Sequence, residues 1–211
     1  MAQPSPETRA QRRRLREARR AVDGSTRREA ESSVAKRLEK LGLSDAGRRV
    51  AVYLAMPGEL SLDYFIRTAR RRGAALYAPK IISFRRRSMA FVPLAPDAIR
   101  HSNRLGIEEP AAGITERIAP RKLDAVLVPM LGFDHTGHRL GMGAGFYDRA
   151  LRMRRDPMTR WRRPRLIGIA FACQQVDSVA ASPWDVAMDL IVTERETLIG
   201  TPDQDREEAR A

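Results

Sequence analysis

The stretch LDAVLVPMLGFDHTGHRLGMGAGFYDRAL, residues 123–151, decides how the rest of the chain is read. It begins with a near-continuous apolar run, LDAVLVPM (123–130), of the kind that suits a strand buried on both faces. Pro129 stands at the end of that run, where a chain leaving a sheet tolerates a missing N–H. A turn, HTGH, comes next, and then glycines at 141, 143 and 145 before helix-forming residues resume. Strand, glycine-rich loop and helix is the order in which open α/β sheets bind ligands, beyond the C-terminal ends of their strands. Gly141, Gly143 and Gly145 allow positive φ and a close approach to an anion, while the helix start offers unpaired N–H groups. Phosphate is the natural guest. The loop is not a Walker loop, because it lacks the Lys-Ser/Thr pair, and G-x-G-x-G differs from the dinucleotide fingerprint. On pattern alone it is equally a tight turn that starts a helix. Asp148, one turn into that helix, is placed either to meet a magnesium ion bridging phosphate oxygens or to favour the helix dipole, with Arg139 and Arg149 adding positive charge.

Outward from this stretch the chain alternates apolar runs with amphipathic segments. RRVAVYLAM (48–56), a helical SLDYFIRTARRRG (61–73) and AALYAPKI (74–81) read as a βαβ unit, whose parallel strands need a crossover helix. MAFVPL (89–94), RLIGIAFA (165–172) and DLIVTE (189–194) are further strand candidates. Two helices precede the sheet: one within residues 6–22, and one in STRREAESSVAKRLEKL, where Thr26 and Glu29 offer a capping box and Val34, Leu38 and Leu41 form a narrow apolar stripe. The expected fold is a three-layer αβα domain with a mostly parallel sheet, preceded by two N-terminal helices. It occupies residues 1–200 as a single domain, and 201–211, with little to bury, is expected to be a disordered tail.

Composition narrows the functional classes. Lysine and arginine total 39 against 26 acidic residues, giving +13, a field that attracts phosphates, nucleic acid or acidic membranes without choosing among them. Lysine occurs only at Lys36, Lys40, Lys80 and Lys122, so the skew toward arginine carries little functional weight. Cys173 is the sole cysteine, which excludes an intramolecular disulfide and an all-cysteine metal cage and favours a reducing cytoplasm. No apolar run approaches a membrane span, so no membrane partner is expected. His135 and His138 lack a third ligand at metal spacing, Glu108 and Glu109 are adjacent and therefore a poor opposed acid/base pair, and Cys173 reads as a buried free thiol.

With these residues in view the chain resembles the 5-formyltetrahydrofolate cyclo-ligases, also called 5,10-methenyltetrahydrofolate synthetases. The likeness runs through RRRLR (12–16), VAVYLAMPGEL (50–60), YAPKI (77–81), GIEEP (106–110), VLVPMLGFDHTGHRLGMGAGFYDR (126–149), IGIAFACQQV (167–176) and WDVAMDLIVTE (184–194). It implies an enzyme that uses ATP as co-substrate and Mg²⁺ as cofactor to convert 5-formyltetrahydrofolate, with or without a polyglutamate tail, to 5,10-methenyltetrahydrofolate, ADP and phosphate. In that chemistry the formyl oxygen is phosphorylated and N10 closes the ring, which asks for positioning and charge neutralisation rather than a protein nucleophile.

The resemblance also distributes roles. The ATP contacts fall on Arg12, Arg16 and the segment Arg139, Leu140, Gly141, Met142, Gly143, Ala144, Gly145, Phe146 and Tyr147. The folate contacts fall on Leu54, Met56 and Glu59 and on residues 142–146 of the same loop; an apolar wall and one carboxylate are what a pterin ring requires. The metal carboxylates fall on Asp148 and Asp185, the latter equally a loop acid capping a turn. Arg12 stands where the family usually has lysine, Ala144 where it commonly has glycine or a basic residue, and Phe171 in a segment often acidic or histidine-containing. Two other readings follow from these features: a nucleotide- or folate-binding paralogue without turnover, and a basic RNA-binding protein. No specific nucleic-acid contact is expected, since aromatic-interleaved RNA motifs are missing, and the protein is expected to be a cytoplasmic monomer.

Overall fold

The computed structural model describes residues 5–97, 99–155 and 163–200. Helices α1 (Pro6–Arg20) and α2 (Gly24–Lys40) lead into strand β1 (Arg49–Ala51), helix α3 (Asp63–Arg71) and strand β2 (Ala75–Ser83). β1 and β2 pair in parallel through the α3 crossover, as the alternation of apolar and amphipathic segments requires. Strands β3 (Ser88–Pro93), β4 (Arg100–Ser102) and β5 (Glu108–Pro110) come next. They precede β6 (Ala125–Pro129), β7 (Gly132–Phe133), β8 (Arg139–Leu140) and the short helix α4 (Phe146–Ala150). The chain ends with β9 (Arg165–Ile169), β10 (Leu190–Val192) and β11 (Thr197–Ile199).

Seven strands form one sheet in the order β11-β10-β9-β6-β1-β2-β3. The five inner strands are parallel, and β3 and β11 join antiparallel at the two edges. Side-chain alternation divides the sheet between two cores, as a period of two dictates. Val50, Val52, Ala125, Leu127, Ile167 and Ile169 face α2 and α3, meeting Val34, Leu38, Phe65 and Ile66. Ala51, Val126, Val128, Leu166 and Ile191 face the other way, toward Phe133, Leu151 and Met188. Among the described residues that second layer is thin, built from α4, the 3₁₀ turns Ile114–Glu116 and Arg152–Arg155 and irregular chain. α1 packs separately through Leu15, against Leu131, Leu140, Val176 and Val179.

Several details depart from the sequence reading. Only Arg49–Ala51 of the 48–56 run joins the ladder; the chain then leaves the sheet at its C-terminal end and turns, with the Tyr53 hydroxyl donating to the Leu60 carbonyl at 2.6 Å. The cap of α2 is Asp23, not Thr26: its Oδ1 accepts from the Ser25 and Thr26 N–H groups at 2.9 and 2.8 Å. An aspartate one turn earlier satisfies the orphan donors first, so Thr26 lies inside the helix. The β4–β5 and β7–β8 hairpins carry no apolar alternation that could announce them. β4–β5 is anchored by polar groups instead. Lys80 donates to the carbonyls of Pro110 and Ala112, and Glu109 accepts from the Ile81 N–H and the Asn103 amide. Cys173 is exposed rather than buried, because Gln174 takes the inward position of that 3₁₀ turn and donates to the carbonyls of Met130 and Leu131. The expected tail at 201–211 and residues 156–162 of the basic connection lie outside the described residues.

Candidate active site

Three segments converge beyond the C-terminal ends of β1 and β6: one face of α1, the loop at 53–60, and the chain from β8 into α4. The sequence of α1 explains its part. Arg12, Leu15, Arg16 and Arg19 recur at three- and four-residue intervals, so they share a face, and Leu15 pulls that face inward. The Arg12 guanidinium reaches the glycine loop, lying 3.7 Å from where a Cβ on Gly143 would sit. Burial, with the like charge of Arg16, holds the Arg12 guanidinium below its ordinary value. Among the described residues no carboxylate lies within ion-pair distance of Arg12 or Arg16, so this end of the row is positive and uncompensated.

The loop itself is specific in backbone rather than in side chains. Gly143 and Gly145 take φ of 95° and 68°, while Gly141 needs no positive φ. Ala144 needs none either, since Arg87 is the one non-glycine residue of the described chain there; the departure from glycine at 144 therefore carries no strain. Leu140 turns its side chain into the α1 cluster, leaving its backbone at the loop. Met142 is half exposed at the rim. The two aromatics divide: Phe146 meets Phe84 of the β2–β3 turn edge to face at 6.4 Å, whereas Tyr147 packs on the second core. α4 is a single turn with no side-chain cap, so it is a shorter N-terminus than the sequence reading expects.

Asp148 is held firmly. Its Oδ1 accepts from Arg139 Nη2 at 2.6 Å and from the Val186 N–H at 3.1 Å, and Arg139 also donates to the Val186 carbonyl. These bonds draw the 182–186 segment against α4. Asp185, next to Val186, spends Oδ2 on the Ser182 N–H at 2.9 Å, which makes it the cap of its own turn. Among the described residues no three histidine, cysteine or acidic side chains cluster as a metal cage. A single carboxylate beside a glycine loop does fit Mg²⁺, which is commonly held by one or two carboxylates together with substrate phosphates and water.

The third segment shapes a cavity of about 580 Å³ lined by Leu54, Met56, Glu59, Tyr53 and Arg27, among others. It contains all three expected folate-contact residues outside the loop, but the glycine loop does not line it. The Glu59 side chain is only 10% exposed; Oε2 accepts from the Met56 N–H at 3.0 Å and Oε1 lies 3.9 Å from Arg19. Burial pushes the Glu59 carboxyl above its ordinary value, with the Met56 N–H and Arg19 pulling it back. Burial and then the Glu59 charge push the hydroxyls of Tyr53 and Tyr147 up as well. Residues the sequence reading leaves out are Arg19 and Arg27, hidden in an arginine-rich helical stretch that gives no hint of which face is buried.

A parallel α/β sheet with an arginine row, a glycine loop and buried carboxylates at its strand ends defines an α/β enzyme of the open-sheet type. Its relatives narrow the class. A sequence model of the 5-formyltetrahydrofolate cyclo-ligase family matches residues 4–194, and the chain belongs to that family of ligases. It is 31% identical to the 5-formyltetrahydrofolate cyclo-ligase of Haemophilus influenzae over 78% of this chain and 86% of the relative. Identity to the Escherichia coli K12 protein of the same name is 30%, over 85% and 96%. The solution structure of 5,10-methenyltetrahydrofolate synthetase from Aquifex aeolicus matches with a TM-score of 0.75 at 26% identity, covering 91% of this chain and 92% of that one.

Proposed function

We propose that this chain converts 5-formyltetrahydrofolate to 5,10-methenyltetrahydrofolate at the expense of ATP, with Mg²⁺, releasing ADP and phosphate. The observation that carries the reading is the placement of the Arg12 guanidinium beside Gly143, 3.7 Å from where a Cβ would sit: a phosphate chain lying on the loop meets a guanidinium without a counter-ion. Arg12 and Arg16 hold and neutralise the phosphates, and the forked Arg12 group can bind two oxygens at once. Asp148, oriented by Arg139, is the residue that would hold Mg²⁺, and the bound ion would supply charge neutralisation on the phosphate oxygens. Asp185 supports the same region through its turn.

Leu54 and Met56 give the folate ring an apolar wall, and Glu59 accepts from its N–H donors. Phe146 and Met142 close the rim beside the formyl group. The formyl oxygen attacks the γ-phosphorus and ADP leaves; N10 then adds to the activated carbon and gives up its proton to solvent, and the C–O bond to phosphate breaks with release of inorganic phosphate. No protein nucleophile is required, so the contribution of the chain is alignment and charge. One cysteine suits a reducing cytoplasm, and no helix among the described residues is long and apolar enough to cross a membrane.

The test is to mix the purified chain with Mg-ATP and 5-formyltetrahydrofolate and follow methenyltetrahydrofolate absorbance with ADP release. Stoichiometric formation of both is expected. Binding of nucleotide and folate without ADP would instead identify a paralogue without turnover, and product formation independent of ATP would overturn the reading.

A further inference from the structure

Two arginines outside the assigned contacts close around the loop that carries Glu59, from opposite sides. From α2, Arg27 donates through Nη1 to the carbonyls of Gly58 and Glu59 at 3.3 and 3.1 Å, and through Nη2 to the Arg19 carbonyl at 3.1 Å. Its guanidinium also lies 4.8 Å over the Phe171 ring, a cation–π contact that fixes the plane of the fork. One side chain thus ties together α2, the C-terminal end of α1, the 58–59 backbone and the segment after β9. From α1, Arg19 approaches the carboxylate. The residue is 8% exposed, Nη1 stands 3.9 Å from Glu59 Oε1, and Nε has no hydrogen-bond partner among the described residues.

We propose that Arg19 and Arg27 are the positioning residues of the substrate-binding carboxylate, Glu59: Arg27 sets the backbone of the Glu59 loop, and Arg19 supplies the buried counter-charge beside the carboxylate at the cavity wall. The inference rests on Glu59 reading the N–H donors of the folate ring. Two features of the geometry separate it from ordinary packing. A lysine at 27 would carry its donors on one nitrogen, whereas the fork reaches the Gly58 and Glu59 carbonyls through Nη1 and the Arg19 carbonyl through Nη2 while laying its plane over Phe171. A 3.9 Å pair with an unused Nε is a loose ion pair, ready to tighten when donors bind on the other side of the carboxylate.

The groups facing Glu59 are Arg19 from α1, Arg27 from α2, Tyr53 from the chain after β1, Tyr147 from α4 and the Met56 N–H. Glu31 of α2 lies behind Tyr53 and accepts from the Ser61 N–H. Of these, Arg19 is the cation that approaches the carboxylate itself, whereas Arg27 is spent on carbonyls.

The experiment uses the full chain and the variants Arg27→Lys, Arg27→Gln, Arg19→Lys and Arg19→Met, with folding checked by circular dichroism. Steady-state kinetics across pH give KM for 5-formyltetrahydrofolate, KM for ATP and kcat. Carbon-13 spectra of glutamate-labelled protein, assigned with Glu59→Gln, give the Glu59 titration midpoint. Both Arg27 variants are expected to raise the folate KM about tenfold and leave the ATP KM within about twofold. Arg19→Met is expected to raise the Glu59 midpoint, and with it the pH below which the folate KM climbs, by about one unit, while Arg19→Lys stays near the parent. An unchanged Glu59 midpoint in Arg19→Met, or an equal rise of both KM values in the Arg27 variants, would overturn the proposal. A parent chain without cyclisation refutes the proposed reaction, and the Glu59 midpoint still decides the role of Arg19.

Discussion

At the scale of single residues, the glycine loop separates positions that tolerate change from those that do not. Gly143 takes a φ of 95°, so Gly143→Ala strains the backbone by about 1–3 kcal/mol, while the added methyl meets the Arg12 guanidinium at an ordinary van der Waals distance. The expected result is lower thermal stability together with a raised KM for ATP. Ala144→Gly, by contrast, is expected to keep activity within a few fold and to change stability by less than about 1 kcal/mol, because residue 144 needs no left-handed conformation. Arg12→Ala is expected to remove the proposed charge-assisted phosphate contact, worth about 1.5–3 kcal/mol, and so to raise the KM for ATP about ten- to hundredfold. Its melting temperature should hold steady or rise, since the change relieves repulsion from Arg16. The loop and Arg12 are legible in the sequence because glycine spacing and a basic motif survive as local patterns. Arg19 and Arg27 are not, since their roles depend on which face of an arginine-rich helix is covered, and that is set by the docking of Leu15 far away in the chain.

At the scale of elements, the β7–β8 hairpin shows how a polar turn can be as firm as an apolar one. Asp134 is 3% exposed and accepts from the Thr136 hydroxyl at 2.7 Å, from the N–H groups of Thr136 and His138 at 3.1 Å each, and from the Val179 N–H at 2.9 Å. Burial alone would raise its carboxyl, but His138, Thr136 and these N–H donors outweigh it and hold the group well below the carboxylate range. A depressed folded-state value means that the stabilisation is present above the unfolded value, about 3.9 for aspartate, and is lost as pH falls below it. Denaturant unfolding of the parent should weaken below about pH 4, and Asp134→Asn should flatten that slope while costing about 2–3 kcal/mol at neutral pH. HTGH is recognisable as a turn from its residues, whereas the burial of Asp134 beneath it is invisible without Val179, 45 residues on. The βαβ unit is the opposite case: β1, α3 and β2 are announced by their own apolar periods, because each element buries a continuous face of its own.

At the scale of the molecule, the sheet was readable and its covering was not. Five inner strands need apolar side chains on both faces, and this leaves unbroken runs in the sequence; the thin second layer of short turns leaves no comparable trace. The center of the molecule is accordingly sensitive. Leu127 is fully buried on β6, and Leu127→Ala is expected to cost about 2–5 kcal/mol by denaturant titration. Ligands act on the same global equilibrium: Mg-ATP at a hundredfold excess over Kd adds about 2.7 kcal/mol, which for a chain of this size raises the melting temperature by about 5–10 °C. The absence of such a rise by scanning fluorimetry would count against nucleotide binding. The arginine row on α1 has a practical side too. Because Arg12 and Arg16 repel each other while partly dehydrated, the ligand-free protein should melt higher in sulfate or phosphate buffer than in chloride at equal ionic strength, and Arg16→Gln should narrow the gap. Storage in phosphate would therefore mask part of the nucleotide signal, as the buffer ion must first be evicted from the seat proposed for ATP.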